Sequence, residues 1–201
     1  KKPLLKGIFL VGALAISGIP LFGGYVSKTL LHESIVAYGG IAMKAVEWIF
    51  LFSGGLTVAY MTKLYVAVFV EKNEDAKVQE QFDSQKRYMN LASTFALGGG
   101  ALVLLVWGLF PHKIMDRAAA LGQSFFRLTD VGEQVTYFCL ENLFGAAISI
   151  GIGVLVYVLV IRKLLMERGE KRRYLDRWPS WLDLEELIYR PLLLQLLPLV
   201  C

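Results

Sequence analysis

The sequence predicts an all-α integral membrane protein, on three observations. Apolar stretches long enough to span a bilayer recur along the chain, the first of them is broken by a Gly/Pro segment that leads into a lysine, and Lys and Arg gather in alternate connecting segments. A helical span needs about 20 predominantly apolar residues. Residues 4–38, 46–70, 90–110 and 143–165 meet that length. Hydrophobic residues are 56% of the chain, and the acidic ones keep clear of the interior of these stretches. Most of the stretches also lack the polar face that a soluble helix turns to water. A water-soluble domain does not fit.

The first stretch is long and discontinuous. An uncharged run, residues 7–16, ends at Gly18-Ile19-Pro20-Leu21-Phe22-Gly23-Gly24-Tyr25-Val26-Ser27-Lys28, and a second apolar run follows to residue 38. Backbone freed by Gly and Pro at membrane depth is tolerated only where protein or a watery cavity covers it. An ionisable side chain there is by default a functional-site hypothesis. Gly18, Pro20, Gly23 and Gly24 are therefore the expected hinge and Lys28 the expected site. His32 lies four residues on, so the two share a helical face. About 14 residues before the break cover roughly 21 Å, which leaves Lys28 outward of the midplane. Two uses of Lys28 stay open on this evidence, an ion relay and an anchor that snorkels to the outer surface. For His32, near the span's exit, an interfacial residue stands beside the relay role.

The second stretch carries Lys63, whose stem reaches the inner interface as an anchor. Glu33, Glu47 and Glu141 fall near outer span ends, where solvation is the simplest expectation, so no carboxylate stands at mid-membrane depth. In the third stretch Gly98-Gly99-Gly100 suggests close helix packing. In the fourth, Gly145, Ser149 and Gly153 have small-xxx-small spacing and suggest a helix contact face. Ser180 and Asp183 have capping-box spacing, which predicts an amphipathic helix over 181–190 on the inner membrane surface, ended or kinked by Pro191.

Lys and Arg set the expected orientation. Segments 1–6, 71–88 and 162–177 hold three, four and seven of them, against one in 39–45 and three in 111–135. The first group is then cytoplasmic, and the pI near 9.0 reflects that rim rather than nucleic-acid binding. The expected parts are residues 1–70 with the broken helix and its successor, a cytoplasmic loop at 71–88, two further spans in 89–165 around an outer loop at 111–136, and a basic and amphipathic tail at 166–201. Cys139 and Cys201 would lie on opposite sides of the membrane. With His32 and His112 as the only histidines, neither metal-ligand spacing nor a nucleophilic triad can be assembled. The start at Lys1 and the apolar end at Cys201 suggest a fragment.

The residues Ala13-Leu14-Ala15-Ile16-Ser17 and the eleven that follow them to Lys28 resemble the broken twelfth helix of antiporter-like membrane subunits. These occur in respiratory complex I, in hydrogenase-4-type membrane hydrogenases and in Mrp-type multi-subunit sodium/proton antiporters. The family pattern is roughly S-x-x-G-[IL]-P-x-x-x-G-F-x-[SG]-K; Tyr25 stands here for the usual Phe, and Ser17 directly precedes Gly18. The stretch with Gly54-Gly55-Leu56-Thr57 and Tyr60-Met61-Thr62-Lys63-Leu64-Tyr65 is similar, more weakly, to the next helix. The resemblance implies part of an inverted-repeat helical subunit in the cell inner (plasma) membrane. It also implies translocation of protons or sodium with Lys28 as the relay residue, partnership with other membrane subunits, and no cofactor in this chain. The family's other channel residues lie on helices absent here. A non-conducting anchor and a self-contained secondary transporter are the alternatives.

Overall fold

The computed structural model describes residues 2–73, 75–85, 88–127 and 135–166, together with 174, 175, 179, 183, 187 and 189–196. The chain divides into two compact units, Lys1–Val160 and Ile161–Cys201.

Among its described residues the first unit carries seven α-helices: α1 (Pro3–Ser17), α2 (Gly23–Tyr38), α3 (Ile41–Phe69), α4 (Ala76–Ser84), α5 (Leu91–Leu109), α6 (Pro111–Phe125) and α7 (Leu140–Val156). A π-helical turn, Tyr157–Arg162, prolongs α7. Ile41–Phe69, Leu91–Leu109 and Leu140–Arg162 are long and apolar enough to cross a membrane, and Pro3–Ser17 is a shorter apolar helix. The all-α membrane fold expected from the sequence is present, with its first span split into α1 and α2.

Chemistry at the ends of each helix explains the boundaries. Gly39 and Gly40, with φ of 69° and 93°, separate α2 from α3 in a conformation that side-chain-bearing residues avoid. The third helix accordingly begins at Ile41, earlier than the hydropathy pattern suggested. Asp75 caps α4 by accepting from the Lys77 and Val78 N–H groups, so the 71–88 segment contains a helix of its own. The 111–136 segment likewise opens with α6, started by Pro111 at a position where the missing N–H costs nothing.

α1, α3 and the α4 segment meet at one end. Lys2 donates to the Gln85 carbonyl at 3.3 Å and sits over the Phe82 and Tyr88 rings. Lys6 lies over Tyr65 near the end of α3. The best-buried cluster lies elsewhere and consists of Tyr25, Val26 and Tyr137, at 1%, 0% and 1% exposure.

The small-xxx-small face of α7 packs on α3. A Cβ on Gly55 would come within 3.0 Å of the Ser149 carbonyl oxygen, and one on Gly153 within 2.7 Å of the Gly55 oxygen. Ser149 Oγ donates to the Leu51 carbonyl at 3.1 Å. The Gly98-Gly99-Gly100 expectation fails: a Cβ on any of them meets nothing within 4 Å among the described residues. Consecutive helical residues are about 100° apart, so three glycines in a row cannot share one packing face.

In the second unit, Met166 and Tyr174 form an antiparallel bridge, and the Leu175 N–H donates to the Leu165 carbonyl at 2.8 Å. Most of the expected 181–190 helix lies outside the described residues. Pro191 is followed at once by a π-helical turn, Leu192–Leu196, so the chain stays helical past a proline expected to end or kink it.

Candidate functional site

The break is a closed helix ending followed by a tight turn. Gly18, at φ 76°, ends α1. Its N–H donates to the Ala15 carbonyl at 3.0 Å, and the Ile19 N–H to the Leu14 carbonyl at 3.1 Å. This is the paired bonding of a Schellman ending. Pro20 and Leu21 then turn the chain, Leu21 at φ 75°, a conformation costing a side-chain-bearing residue about 1–3 kcal/mol. The last turn of α5 braces it, because a Cβ on Gly108 would run into the Leu21 carbonyl. Gly23 abuts Leu104 and Trp107, and Gly24 abuts the Ala15 carbonyl. Three of the four predicted hinge residues thus touch the elements that hold the break, and Pro20 lies within it.

The Schellman bonds leave the Ser17 carbonyl at the negative end of the α1 dipole. Lys28 takes it: Nζ donates to that oxygen at 3.2 Å. Its side chain lies along Gly18, where a Cβ would meet Lys28 Cδ at 2.6 Å. Gly18 therefore serves twice, for its positive φ and for the room it gives the lysine. The ammonium folds back onto the break, where the half-helix C-terminus favours a cation.

Around Lys28 is a cavity of about 100 Å³ between α1, α2, α3 and α7. Ser17, Thr29, His32, Thr57, Asn142 and Ser149 supply most of its polar lining. On α2, Tyr25, Lys28, Thr29, His32 and Glu33 follow the three- and four-residue steps of a single helical face. The sequence singled out Lys28 and His32, and the structure brings both to this cavity.

His32 and the outer carboxylates depart from expectation. His32 Nε2 lies 3.2 Å from Glu47 Oε1, the two side chains 16% and 31% exposed, and the ring stacks on Phe50. Glu33 Oε1 accepts from Asn142 Nδ2 at 2.8 Å. Simple solvation thus fails for Glu47 and Glu33 and holds for exposed Glu141. Nothing in the local sequence pairs His32 with Glu47; the α2–α3 turn at Gly39-Gly40 brings them together. Asn142, in the first turn of α7, was not singled out either.

A second set of polar groups braces α2, starting from Tyr25 in the cavity wall. Tyr25 hydroxyl donates to the Tyr137 carbonyl and Tyr137 hydroxyl to Asp116 Oδ1, each at 2.6 Å. His112 Nδ1 lies 3.0 Å from Asp116 Oδ2. Burial first, then the hydrogen bond and charge of Asp116, push the Tyr137 hydroxyl above the usual phenol range, so it stays a donor. Among the described residues no group of three or more His, Cys, Asp or Glu is placed to hold a metal ion.

Comparison with known proteins gives relatives of a single description. The chain is 28% identical over 116 residues to NADH-quinone oxidoreductase subunit N of Mycobacteroides abscessus, covering 58% of this chain and 20% of that protein. The subunit N of Methylococcus capsulatus is 27% identical over 127 residues, 61% of this chain and 22% of that protein. That of Rhodococcus opacus is 24% identical over 119 residues, 59% and 20%. The chain spans about a fifth of the length of these curated relatives. No family model and no solved structure matches it. It is a membrane protein chain similar to part of that subunit.

Proposed function

We propose that this chain is part of an ion-translocating membrane subunit of a complex I-like oxidoreductase, in which Lys28 relays protons or sodium ions. One observation carries the reading: an ammonium folded onto the open carbonyl of a broken half-helix, beside a polar cavity. Discontinuous helices whose ends face an ion site are how membrane transporters build their sites. A non-conducting anchor has no use for that arrangement. The description shared by the relatives favours the complex I branch; the hydrogenase and Mrp branches rest on the motif alone. On this reading the chain sits in the cell membrane with 71–88 and the tail cytoplasmic, and the partners are the other membrane subunits of the complex.

The test is ion uptake by vesicles carrying the full-length protein in its complex, with subunit content measured in parallel. Lys28→Ala is expected to abolish or strongly reduce uptake while assembly is kept. Lys28→Arg is expected to restore little, because a guanidinium does not release its proton at accessible pH. Normal uptake by assembled Lys28→Ala would favour the anchor.

A further inference from the structure

The Lys28 cavity has a neighbour. A second hollow of about 330 Å³ is lined by Glu33, Glu47, Trp48, Glu141 and Phe144, and it shares His32, Leu51, Asn142 and Gly145 with the first. Two hydrogen-bonded pairs stand at this boundary, His32–Glu47 and Asn142–Glu33. The His32 ring spans it. Nε2 is turned to Glu47, while the Cε1–Nδ1 edge lies beside Gly145, 3.6–4.0 Å from where a Cβ on that glycine would stand. The ring therefore offers one nitrogen to a carboxylate and the other to the glycine-lined junction.

We propose that His32 and Glu47 form a proton gate between the Lys28 cavity and the acidic hollow. This rests on the relay role of Lys28. The cavity has room for a few waters at about 30 Å³ each. A Lys28 N–H bond breaks as a cavity water takes its proton and gives one of its own to Nδ1 of His32. The charged ring releases its Nε2 proton to Glu47, which becomes a neutral carboxylic acid. Glu47 then gives that proton to water in the second hollow and regains its charge. Each transfer breaks one bond to hydrogen and forms one. Lys28 is left a neutral amine that takes its next proton from the supply side of the relay. The His32 ring, left protonated at Nδ1, resets by exchanging that proton to Nε2 through water. Histidine suits this because its two nitrogens carry protons in turn near neutral pH.

The charged and titratable groups lining the two hollows around His32 are Tyr25, Lys28 and Glu33 on its own helix, Glu47 from α3 and Glu141 from α7. Uncharged Asn142 joins them from α7, and Ser17 of α1 lines the Lys28 cavity. From α6, Asp116 and His112 reach α2 through Tyr137 and Tyr25, away from the junction.

The experiment measures proton uptake against pH, in vesicles carrying the full-length protein in its complex. Glu47→Gln keeps a hydrogen-bonding partner for His32 but cannot exchange a proton. At normal subunit content it is expected to lower proton uptake at least about tenfold and to flatten the pH profile of what remains, whereas Glu47→Asp keeps most uptake. A merely structural Glu47 would be replaced by Gln without loss, and that result overturns the gate. If Glu47→Gln does not assemble, Gly145→Val decides: its methyls fill the junction beside His32, and unchanged uptake overturns the proposal. Loss of uptake in Lys28→Ala but not in Glu47→Gln sinks the gate and leaves the relay standing. Normal uptake in Lys28→Ala sinks both.

Discussion

Glycines at the α1–α2 break and the α3–α7 crossing sit against backbone or side chain, whereas the three consecutive glycines of α5 face nothing within 4 Å among the described residues. At the break, Gly24 admits the Ala15 carbonyl and Gly18 admits the stem of Lys28. At the crossing, Gly55 and Gly153 let two helix backbones approach. Composition is the same in both regions, and surroundings are not. Glycine marks close approach when its spacing follows a helical face, as in Gly145, Ser149 and Gly153, or when it ends a helix. Three glycines in a row, each about 100° from the next, cannot all lie on one face.

Substitution breaks or sharpens this contrast. The largest effect is expected for Gly24→Ala, whose Cβ would collide with the Ala15 carbonyl, a backbone atom that cannot swing aside. Forcing the two half-helices apart is expected to cost about 3 kcal/mol, the upper end for overpacking. Unfolding of the full-length protein by denaturing detergent reads this. Gly18→Ala comes next: the positive φ costs roughly 1–2 kcal/mol. Its methyl also displaces Lys28, so ion uptake is expected to fall by more than the stability loss explains. Gly99→Ala is the smallest, with stability unchanged or raised by up to about 1 kcal/mol, because alanine suits a helix interior better. A large loss for Gly99→Ala would mean that α5 packs as tightly as the break, and the contrast would collapse.

Much of this was legible in the sequence because membrane helices announce themselves locally. Length, hydropathy and the Gly/Pro interruption are properties of neighbouring residues, and they located the spans, the break and Lys28. The α7 contact face was legible from the spacing of Gly145, Ser149 and Gly153. α4 and α6 were missed because both are short and amphipathic, with no apolar run to reveal them. The partners of the site were missed for a different reason. Glu47 lies fifteen residues beyond His32 and meets it only after the α2–α3 turn, and Asn142 reaches Glu33 across 109 residues. Such pairings depend on helix register and crossing, which one helix does not encode. Glu47 and Glu33 therefore looked like surface carboxylates, although helical spacing already placed Glu33 on the polar face of Tyr25, Thr29 and His32.

The central claim is that the seam around Lys28 is polar enough to hold water while the open face of α5 is not. Thiol labelling in membrane vesicles measures this most directly, with Thr29→Cys and Gly99→Cys each made in a background where Cys139 and Cys201 are serine. Thr29 is buried and lines the cavity beside Lys28, whereas Gly99 faces open space on α5. The reactive species is the thiolate, which forms beside a cation or water and is suppressed in apolar surroundings. A small uncharged methanethiosulfonate should modify Thr29→Cys and leave Gly99→Cys untouched. Labelling of Gly99→Cys with Thr29→Cys inert would contradict the account.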